Sequence, residues 1–277
     1  MTDQTSSPLV SVILPTRNRA QLLTRALKSI LAQTYSRFEV IVVDEGSSDA
    51  TPDVVQSLKD PRIQYIRQEV VRGPGGARNV GIKSAQGELF SFLDDDDEYF
   101  GDKLRLQVRA MGESLTSVGF VYSPVRTVRD GQPMDLFPTF EESGNIFLQY
   151  LSGFSFPITA TLVRRQCMVP FDEKLTCLED VDFHLKILKS VTTVFAPGVC
   201  AICNLDSKGK RLSENLASLH NSFRLLERRY FNDPKDSFLV HAHADLLLRF
   251  AFRLFALGYK DEAARNYIDR AFSVRKD

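Results

Sequence analysis

Four consecutive carboxylates, Asp94–Asp97, directly follow the short apolar run Leu89–Leu93. Only Ser91 in that run is polar, so we predict a buried strand that ends at the acidic residues. In an extended chain alternate side chains share a face, which predicts that the first and third carboxylates point one way and the second and fourth the other. Anions at the end of a buried strand are costly unless cations, donors or water compensate them. Such an oxygen-rich site suits Mg²⁺ or Mn²⁺ held jointly with substrate phosphates.

A solvated acidic loop is the alternative interpretation, and it is the simpler one for an acidic run taken alone. A calcium loop of the EF-hand type is excluded, because the sixth residue from Asp94 is Tyr99 instead of Gly and the twelfth is Arg105 instead of Glu. The rest of the chain favours the metal interpretation.

A second acidic pair, Glu179–Asp180, stands at the predicted start of a helix. Val181, Leu185 and Leu188 recur at helical spacing, which places both carboxylates in the first turn. The positive end of the helix dipole favours anions there, so simple capping is the alternative to a catalytic role.

Strands and helices alternate ahead of the acidic run and position it. Periodicity predicts strands at Leu9–Leu14, Phe38–Val43 and Arg62–Ile66. It predicts helices at Arg19–Gln33 and Ala77–Ala85, and a short helix from Thr51. Asn18 is the predicted cap of the first helix. Right-handed crossovers then give an α/β fold with a mainly parallel, doubly wound sheet. Such sheets bind ligands at the carboxyl ends of their strands.

Two common phosphate-binding motifs are missing from the sequence. A dinucleotide fold requires Gly-x-Gly-x-x-Gly directly after the first strand, but that turn is Pro15–Asn18 and contains no glycine. The glycine cluster Arg72–Gly76 follows the third strand and leads into the next predicted helix. No Walker motif occurs. The sequence therefore argues against a dehydrogenase and excludes a P-loop nucleotidase.

Beyond the acidic run the pattern is less regular. We predict a helix at Gly101–Met111 and strands at Val118–Tyr122 and Ile158–Val163, with turn-rich connections around the site from Ser123 to Pro157.

The end of the chain is predicted to be helical, near residues 212–231, 236–258 and 260–274. The nearly apolar stretch Leu246–Leu257 is interpreted as a helix packed against the main domain. An interfacial membrane helix is the alternative.

The composition is that of an ordinary soluble protein. Lys+Arg and Asp+Glu both number 35 in 277 residues, and this balance gives no sign of a nucleic-acid partner. Residues 1–8 are polar, are expected to be disordered and carry no secretory signal. No apolar run approaches the ~18 residues of a membrane span. We therefore expect a cytoplasmic protein, and the sequence indicates no oligomeric state.

The cysteines allow one further metal hypothesis. Cys200 and Cys203 have the spacing of half a zinc site, which Cys167 and Cys177 could complete. Cys167 and Cys177 are widely spaced, and Cys200 and Cys203 lie in a strand-like stretch. These two observations favour free buried thiols in a reducing compartment.

Six stretches in a fixed order resemble the inverting, GT-A-fold glycosyltransferases of family 2: Val10–Arg19, Ser29–Thr34, Phe38–Ser47, Ala77–Ile82, Phe92–Asp97 and Glu179–Asp180. The resemblance covers about residues 9–205. It implies a GT-A domain over those residues, with a nucleotide-binding half at 9–100 and an acceptor half at 101–205. Residues 206–277 would form a helical C-terminal extension.

The resemblance also implies a site for a nucleotide-sugar donor, with a UDP-sugar expected. Thr16 and Asp44 fall where the family holds the nucleoside, with Arg78 near the same pocket. The expected donor-binding residues are Pro15, Thr16, Arg17, Asp44, Glu45, Arg78, Asp94, Asp95 and Arg211. The last lies in a basic loop at residues 208–213 that some members fold over the donor phosphates, and a plain solvated loop is the alternative.

Metal and catalytic roles follow from the same resemblance. Asp94 and Asp96 are the ends of the family's Asp-x-Asp motif, with Asp96 expected as the direct ligand of Mn²⁺ or Mg²⁺ and Asp94 as a second ligand. Asp95 or Asp94 is expected to face the ribose. Asp180 matches the catalytic base, and Glu179 is expected to orient the acceptor. One base suffices because the diphosphate leaves without a general acid.

The sequence departs from the family pattern at two positions and lacks one motif. Glu45 stands where the family usually has a second aspartate, and Arg17 stands where an aromatic side chain often packs on the base. No Gln-x-x-Arg-Trp occurs, because the chain has no Trp. This absence argues against a processive synthase and implies transfer of one sugar at a time.

The leading hypothesis is a metal-dependent inverting glycosyltransferase with a glycan or lipid-linked glycan acceptor. Peripheral contact with the inner membrane face is an expectation by analogy only. The alternative is a non-catalytic protein that binds nucleotide sugars or serves as a scaffold on the same fold. A sugar nucleotidyltransferase would need a glycine-rich basic loop after the first strand, and that loop is missing.

Overall fold

The computed structural model describes residues 7–113, 118–138, 140–153, 155–205, 215–231, 237–256 and 262–274. In chain order its strands are β1 (Val10–Thr16), β2 (Phe38–Asp44), β3 (Ile63–Arg67), β4 (Leu89–Phe92), β5 (Glu98–Tyr99), β6 (Val118–Tyr122), β7 (Val125–Arg129), β8 (Gln132–Phe137), β9 (Thr161–Arg164), β10 (Thr192–Phe195) and β11 (Ala201–Asn204). Its helices are α1 (Ala20–Leu31), α2 (Thr51–Ser57), α3 (Gly73–Ser84), α4 (Lys103–Glu113), α5 (Phe147–Leu151), α6 (Glu179–Leu188), α7 (Leu216–Tyr230), α8 (Ser237–Ala256) and α9 (Glu262–Val274).

A mainly parallel sheet organises these elements, as the sequence predicts. Within the described residues its strand order is β10-β6-β9-β4-β1-β2-β3, and β9 alone runs antiparallel to its neighbours. The chain leaves β1 toward β2 and β3 on one side and returns to β4 on the other. This reversal of strand order opens a crevice at the carboxyl ends of β1, β2 and β4, where the candidate site residues lie.

Helices cover the sheet through apolar faces at helical spacing. In α1 the side chains of Leu23, Ala26, Leu27 and Ile30 are fully buried, and each large one contributes about 1.5–3 kcal/mol relative to exposure. In α3 the close approach to β1 requires Gly81, because a Cβ there would lie 2.5 Å from a methyl carbon of Ile13. The short motif around Gly81 therefore has a packing reason.

The start of α1 differs from the prediction. The helix begins at Ala20, after Arg19 at its N-cap position, and Asn18 does not cap it. Asn18 has a left-handed φ of 52°, and its Oδ1 accepts a hydrogen bond from the backbone N–H of Ser48 at 2.7 Å. Asn18 thus ties the loop after β1 to the loop after β2, and this link could not be seen from local sequence.

The glycine cluster also differs from the prediction, because it belongs to a helix. α3 begins at Gly73, not near Ala77, with Pro74 in its first turn. Proline is well tolerated in a first turn because its missing N–H has no partner there in any case. The cluster therefore forms the helix start beside the crevice, where backbone can approach a ligand closely.

Residues 123–157 hold regular structure where we expected turn-rich connections. They contain β7, β8 and α5, and the two strands join β5 and β11 in a second sheet of order β5-β11-β7-β8. The strand predicted at Ile158–Val163 begins as a 3₁₀ turn at Ile158–Ala160 and continues as β9. β7 and β8 are short and mix polar with apolar residues on both faces, so the alternation expected of a strand is too weak to recognise in the sequence.

Three helices follow the sheets, as predicted. α7, α8 and α9 share an apolar cluster that is separate from the main core and that includes Phe223, Phe250 and Tyr267. Cys177, in the loop before α6, packs into this cluster and so links it to the sheet domain. Within the described ranges, no helix combines the length and apolarity needed to cross a bilayer. Residues 1–6, where disorder was expected, lie outside the described residues.

Candidate active site

The acidic run after β4 forms a tight turn. The backbone N–H of Asp97 donates to the carbonyl of Asp94 at 3.0 Å, so the expectation of an extended run with alternating side chains is wrong. A turn brings together carboxylates that alternation would separate. Ligand oxygens of Asp94, Asp96 and Asp97 lie within 4.8 Å of one another, while Asp95 points toward β1.

Asp95 is held at the end of β1 by two donors. Its carboxylate accepts hydrogen bonds from Thr16 Oγ1 at 2.8 Å and from Arg19 Nη1 at 2.9 Å. Burial raises the pKa of Asp95 to about 6, against the lowering effect of Arg19. Arg19 also lies 3.2 Å from an oxygen of Asp96, so one guanidinium serves two carboxylates. Arg19 is not among the residues expected to bind the donor, and its one signal in the sequence is its position three residues after the end of β1.

Asp97 fastens the acidic turn to the second sheet. Its oxygens accept from Thr159 Oγ1 at 3.0 Å, from the Cys203 thiol at 3.1 Å and from the backbone N–H of Asn204 at 3.0 Å. Burial, with Asp96 and then Asp94 nearby, raises the pKa of Asp97 to about 8. The three donors oppose this rise, because they stabilise the ionised carboxylate.

The cysteines are free thiols. Cys203 donates to a carboxylate, and burial raises the pKa of Cys200 to about 12. Among the described residues, neither thiol belongs to a cluster of three or more candidate metal ligands.

Arg78 joins the acidic turn to the second acidic pair. The residue is 2% exposed. Its Nη2 lies 2.6 Å from Asp94 Oδ1, and its Nη1 lies 2.7 Å from Glu179 Oε1. Its Nε is buried with no hydrogen-bond partner among the described residues. The bridge brings residues 94 and 179, which are far apart in sequence, to opposite sides of one cation.

Asp180 follows in the first turn of α6, as the sequence predicts. The turn before it is sharp, because Leu178 has a left-handed φ of 60°. Asp180 Oδ1 accepts from the backbone N–H of Val181 at 2.9 Å. Burial raises the pKa of Asp180 to about 7; the charge of Glu179 adds to this rise and Arg78 opposes it. A carboxylate with this pKa is poised to take a proton near neutral pH.

The back of α6 is anchored by groups that the sequence did not reveal. Asp182 is fully buried and pairs with Arg229 of α7 and, at 2.7 Å, with Lys186 Nζ. Tyr230 Oη also donates to it, at 3.0 Å. Arg229 lies 2.7 Å from Asp172 as well. The C-terminal helix α7 therefore fixes the helix that carries Asp180.

Asp44 and Glu45 hold the loops on the other side of the crevice. The fully buried Asp44 accepts from Ser47 Oγ at 2.5 Å and from Tyr65 Oη at 2.5 Å. Burial and this bond raise the pKa of Tyr65 to about 12. Glu45 Oε1 accepts from the backbone N–H of Arg72, directly before α3, at 2.6 Å.

The other residues that we expect to bind the nucleotide-sugar donor lie in three different places. Pro15 is buried in β1 beside Val43 of β2. Arg17 is exposed at the edge of the crevice, directly after β1. Arg211 lies outside the described residues.

The acidic turn fits a hard divalent cation. Mg²⁺ and Mn²⁺ prefer carboxylate oxygens at about 2.1 Å, so oxygens on opposite sides of the ion lie about 4.2 Å apart. The 4.8 Å spread of the acidic turn needs only a small contraction. Asp97 already accepts from three donors, so Asp94 and Asp96, which are half-buried, are the more accessible candidates for ligands. Arg78 and Arg19 hold these two carboxylates by charge-assisted bonds.

These features define an α/β protein with a cluster of carboxylates and arginines at the carboxyl ends of its strands, the edge at which such sheets bind ligands. The family model "Glycosyl transferase family 2" matches residues 11–168. The chain belongs to this family and is a glycosyltransferase.

Relatives with known names agree with this assignment. The chain is 29% identical over 223 residues to the Escherichia coli UDP-Glc:alpha-D-GlcNAc-diphosphoundecaprenol beta-1,3-glucosyltransferase WfgD, covering 80% of this chain and 84% of the relative. It is 33% identical to the putative colanic acid biosynthesis glycosyl transferase WcaA of Escherichia coli K12, covering 66% and 67%. It matches an uncharacterized glycosyltransferase of Rickettsia bellii at 37% identity but spans only 20% of that protein's length.

Solved structures share the fold. TarS 1-349 of S. aureus in complex with UDP-GlcNAc superposes with a TM-score of 0.64 at 20% identity, covering 96% of this chain and 90% of that one. The mannosyltransferase PcManGT from Pyrobaculum calidifontis, in complex with GDP-Man and Mn²⁺, gives a TM-score of 0.58 at 21% identity, covering 98% and 86%. The expected GT-A fold with C-terminal helices is confirmed.

Proposed function

We propose that this protein is a metal-dependent, inverting glycosyltransferase that moves one sugar from a UDP-sugar to an acceptor hydroxyl, with Asp180 as general base. The observation that carries the proposal is the Arg78 bridge, 2.6 Å from Asp94 and 2.7 Å from Glu179. It joins the acidic turn to Glu179, the residue directly before Asp180, and the pKa of Asp180 is raised to about 7. A donor diphosphate at the turn would hold its sugar next to that base.

In this account the donor lies across the carboxyl ends of β1, β2 and β4. Thr16, Asp44 and Arg78 surround the nucleoside, Asp95 faces the ribose, and Glu45 and Arg72 shape the start of α3. The UDP complex of a fold neighbour and the UDP-Glc in the name of the relative WfgD support uracil as the base. The halves at 9–100 and 101–205 then hold donor and acceptor respectively.

The divalent cation is held by Asp96 and Asp94 in this proposal. When bound, such a cation stabilises the negative charge that develops on a departing diphosphate. Arg19 and Arg78, which hold these carboxylates, are then available for the phosphate oxygens. The Mn²⁺ in a fold neighbour supports this assignment.

Asp180 removes the proton of the acceptor hydroxyl as that oxygen attacks the anomeric carbon. A raised pKa makes the carboxylate a stronger base than an exposed aspartate, at the cost of partial protonation near pH 7. Glu179 is held by Arg78 and orients the acceptor. Attack from the face opposite the diphosphate inverts the anomeric configuration. No general acid is required, since the leaving diphosphate is already stable as an anion.

The acceptor is proposed to be a lipid-linked glycan. The name of WfgD specifies a sugar joined to undecaprenol through a diphosphate, and this chain covers 84% of that relative. Such an acceptor would bring the protein to a membrane surface.

The test is Mn²⁺-dependent release of UDP from a panel of UDP-sugars with water as the acceptor, and time-resolved proton NMR reads the anomeric configuration of the released sugar before it mutarotates. We expect one UDP-sugar to be cleaved, release to stop with EDTA and return with Mn²⁺, and the product to be inverted. Binding of UDP without any sugar cleavage would contradict the proposal and favour a non-catalytic binding protein. A retained configuration would contradict the single-base mechanism.

A further inference from the structure

A basic cleft lies between the loop that precedes α6 and the helix α7. Its volume is about 460 Å³, a size typical of small-molecule sites. Lys174 of the loop and Arg224 and Arg228 of α7 line it. The other lining residues are uncharged, so no acidic side chain faces this cleft among the residues that the structure describes. This positive charge stands out in a chain whose acidic and basic residues balance.

The acidic residues nearest in sequence are paired elsewhere. Asp172 lies 2.7 Å from Arg229, and Glu173 lies 3.5 Å from Arg72 beside α3. Arg224 and Arg228 are four residues apart on one helix, so they share a face and repel each other. Lys174, Arg224 and Arg228 are exposed, so water screens their mutual repulsion, and an anion in the cleft would meet positive charge from both of its walls.

The cleft adjoins the start of α6. Thr176 lines the cleft and lies four residues before Asp180, so their Cα atoms are at most about 14 Å apart even in a fully extended chain. Cys177 and Leu178, between them, pack against the helical cluster. A ligand in the cleft is therefore within a few sugar lengths of the base.

We propose that this cleft binds the diphosphate of the acceptor, an inference that rests on the proposed function. In the acceptor named for WfgD, one sugar separates the diphosphate from the bond that is formed. A diphosphate near Lys174 and Arg228 would place the next sugar toward Asp180. Guanidinium groups bind phosphate oxygens through paired hydrogen bonds, and Ser218 and Asn221 of the cleft supply neutral donors.

This assignment gives the C-terminal helices a role in substrate recognition. Arg224 and Arg228 come from α7, outside the matched family region that ends at residue 168. Lys174 comes from the loop that leads to the base. The acceptor site is thus assembled from two parts of the chain, and α7 also anchors α6 through Arg229.

The test measures binding of two probes by calorimetry, without metal or donor. One probe is N-acetylglucosamine α-diphosphate octyl ester, and the other is octyl α-N-acetylglucosaminide, which lacks the diphosphate. We expect the wild type to bind only the diphosphate ester. In Lys174→Gln/Arg228→Gln this binding should weaken at least about tenfold, because charged hydrogen bonds are lost. The matched control Lys83→Gln/Arg265→Gln removes two exposed cations outside the cleft and should bind as the wild type does.

Several outcomes would overturn the inference. These are equal binding of both probes, no binding of the ester, or unchanged binding by the double variant. A fourth is displacement of the ester by phosphatidylglycerol vesicles that bind equally well, which would make the cleft a headgroup site. UDP release with Mn²⁺ tests the proposed function separately. The double variant should keep the wild-type rate of donor hydrolysis in water, so loss of acceptor binding is distinguishable from failure of the enzyme.

Discussion

Asp94 and Glu179 share one counter-ion, the buried guanidinium of Arg78, although 85 residues separate them in sequence. Each carboxylate lies within 2.7 Å of a different nitrogen. The charge on the donor side of the crevice is therefore coupled to the charge beside Asp180. Any change in the ionisation or ligation of Asp94 acts on the α6 start through this guanidinium.

Replacing Arg78 should uncouple the acidic turn from the Glu179–Asp180 pair. Arg78→Lys keeps the charge, but a single ammonium cannot serve both carboxylates in the same forked geometry. We expect donor hydrolysis to fall at least about tenfold and stability to fall by about 1–3 kcal/mol, because a buried carboxylate loses a partner. Urea unfolding and UDP-release assays measure both. Arg129→Lys, at an exposed strand end, is the control and should change neither; a fully active Arg78→Lys would show that the bridge is dispensable.

The rate of donor hydrolysis should rise with pH up to about 7 and then level off. The pKa of Asp180 in the free enzyme is about 7, and only the ionised carboxylate accepts a proton. Below that value the active fraction should fall about tenfold per pH unit. A pH profile of kcat/KM checks this expectation, and a profile flat from pH 5 to 8 would exclude Asp180 as the base.

The free energy of unfolding should fall as pH rises, whereas the rate of donor hydrolysis should increase. The folded-state pKa of Asp180 lies above its ordinary 3.8, so the native state binds a proton that the unfolded state has lost. Between about pH 4 and pH 7 the wild type therefore loses stability as pH rises, by no more than about 1.4 kcal/mol per unit, and by less because the group is partly exposed. Asp180→Asn removes that loss. Its Tm should exceed that of the wild type at pH 8, with the gap closing toward pH 4; a lower Tm at pH 8 would refute the assigned pKa.

Removing Arg19 should increase the affinity of the nucleotide-free protein for Mn²⁺. Arg19 lies 3.2 Å from Asp96 and 2.9 Å from Asp95, so a cation that binds Asp96 must compete with it. We expect Arg19→Gln to bind Mn²⁺ several-fold more tightly, as measured by electron paramagnetic resonance. Arg37→Gln, an exposed arginine outside the acidic turn, should leave the affinity unchanged. Weaker binding in Arg19→Gln would place the ion elsewhere.

Arg229 should position α6 without touching substrate. Arg229→Gln leaves the fully buried Asp182 with Lys186 and Tyr230 only, so we expect a stability loss of about 1–3 kcal/mol. The pH midpoint of donor hydrolysis should also shift, because Asp180 would sit on a less fixed helix. A merely structural role would lower stability and leave the midpoint in place. Arg265→Gln on α9 is the control.

The sequence predicted the alternation of strands and helices because burial repeats along the chain with the periods of regular structure. The strand before Asp94 and the helix that begins at Glu179 are examples. It did not predict the turn at Asp94–Asp97, since four identical residues carry no signal that separates a turn from an extended strand.

Pairings across the fold were also hidden. Arg78 with Glu179 and Arg229 with Asp182 depend on the three-dimensional approach of segments that share no local pattern. Asparagine is common at helix N-caps, so the sequence predicts a cap at Asn18. Its conformation instead follows from the hydrogen bond that it accepts from Ser48. Local sequence patterns thus predicted where the candidate site lies, whereas the ion pairs within it depend on contacts between distant segments.

The most direct test of the account compares donor hydrolysis by Asp180→Asn and by Asp53→Asn, an exposed aspartate in the first turn of α2. Both proteins are saturated with Mn²⁺ and the UDP-sugar that the wild type cleaves, at pH 8, with UDP affinity measured in parallel. We expect Asp180→Asn to bind UDP normally and to hydrolyse the donor about 10²–10⁴-fold more slowly, while Asp53→Asn matches the wild type. Hydrolysis by Asp180→Asn within a few-fold of the wild-type rate would contradict the account.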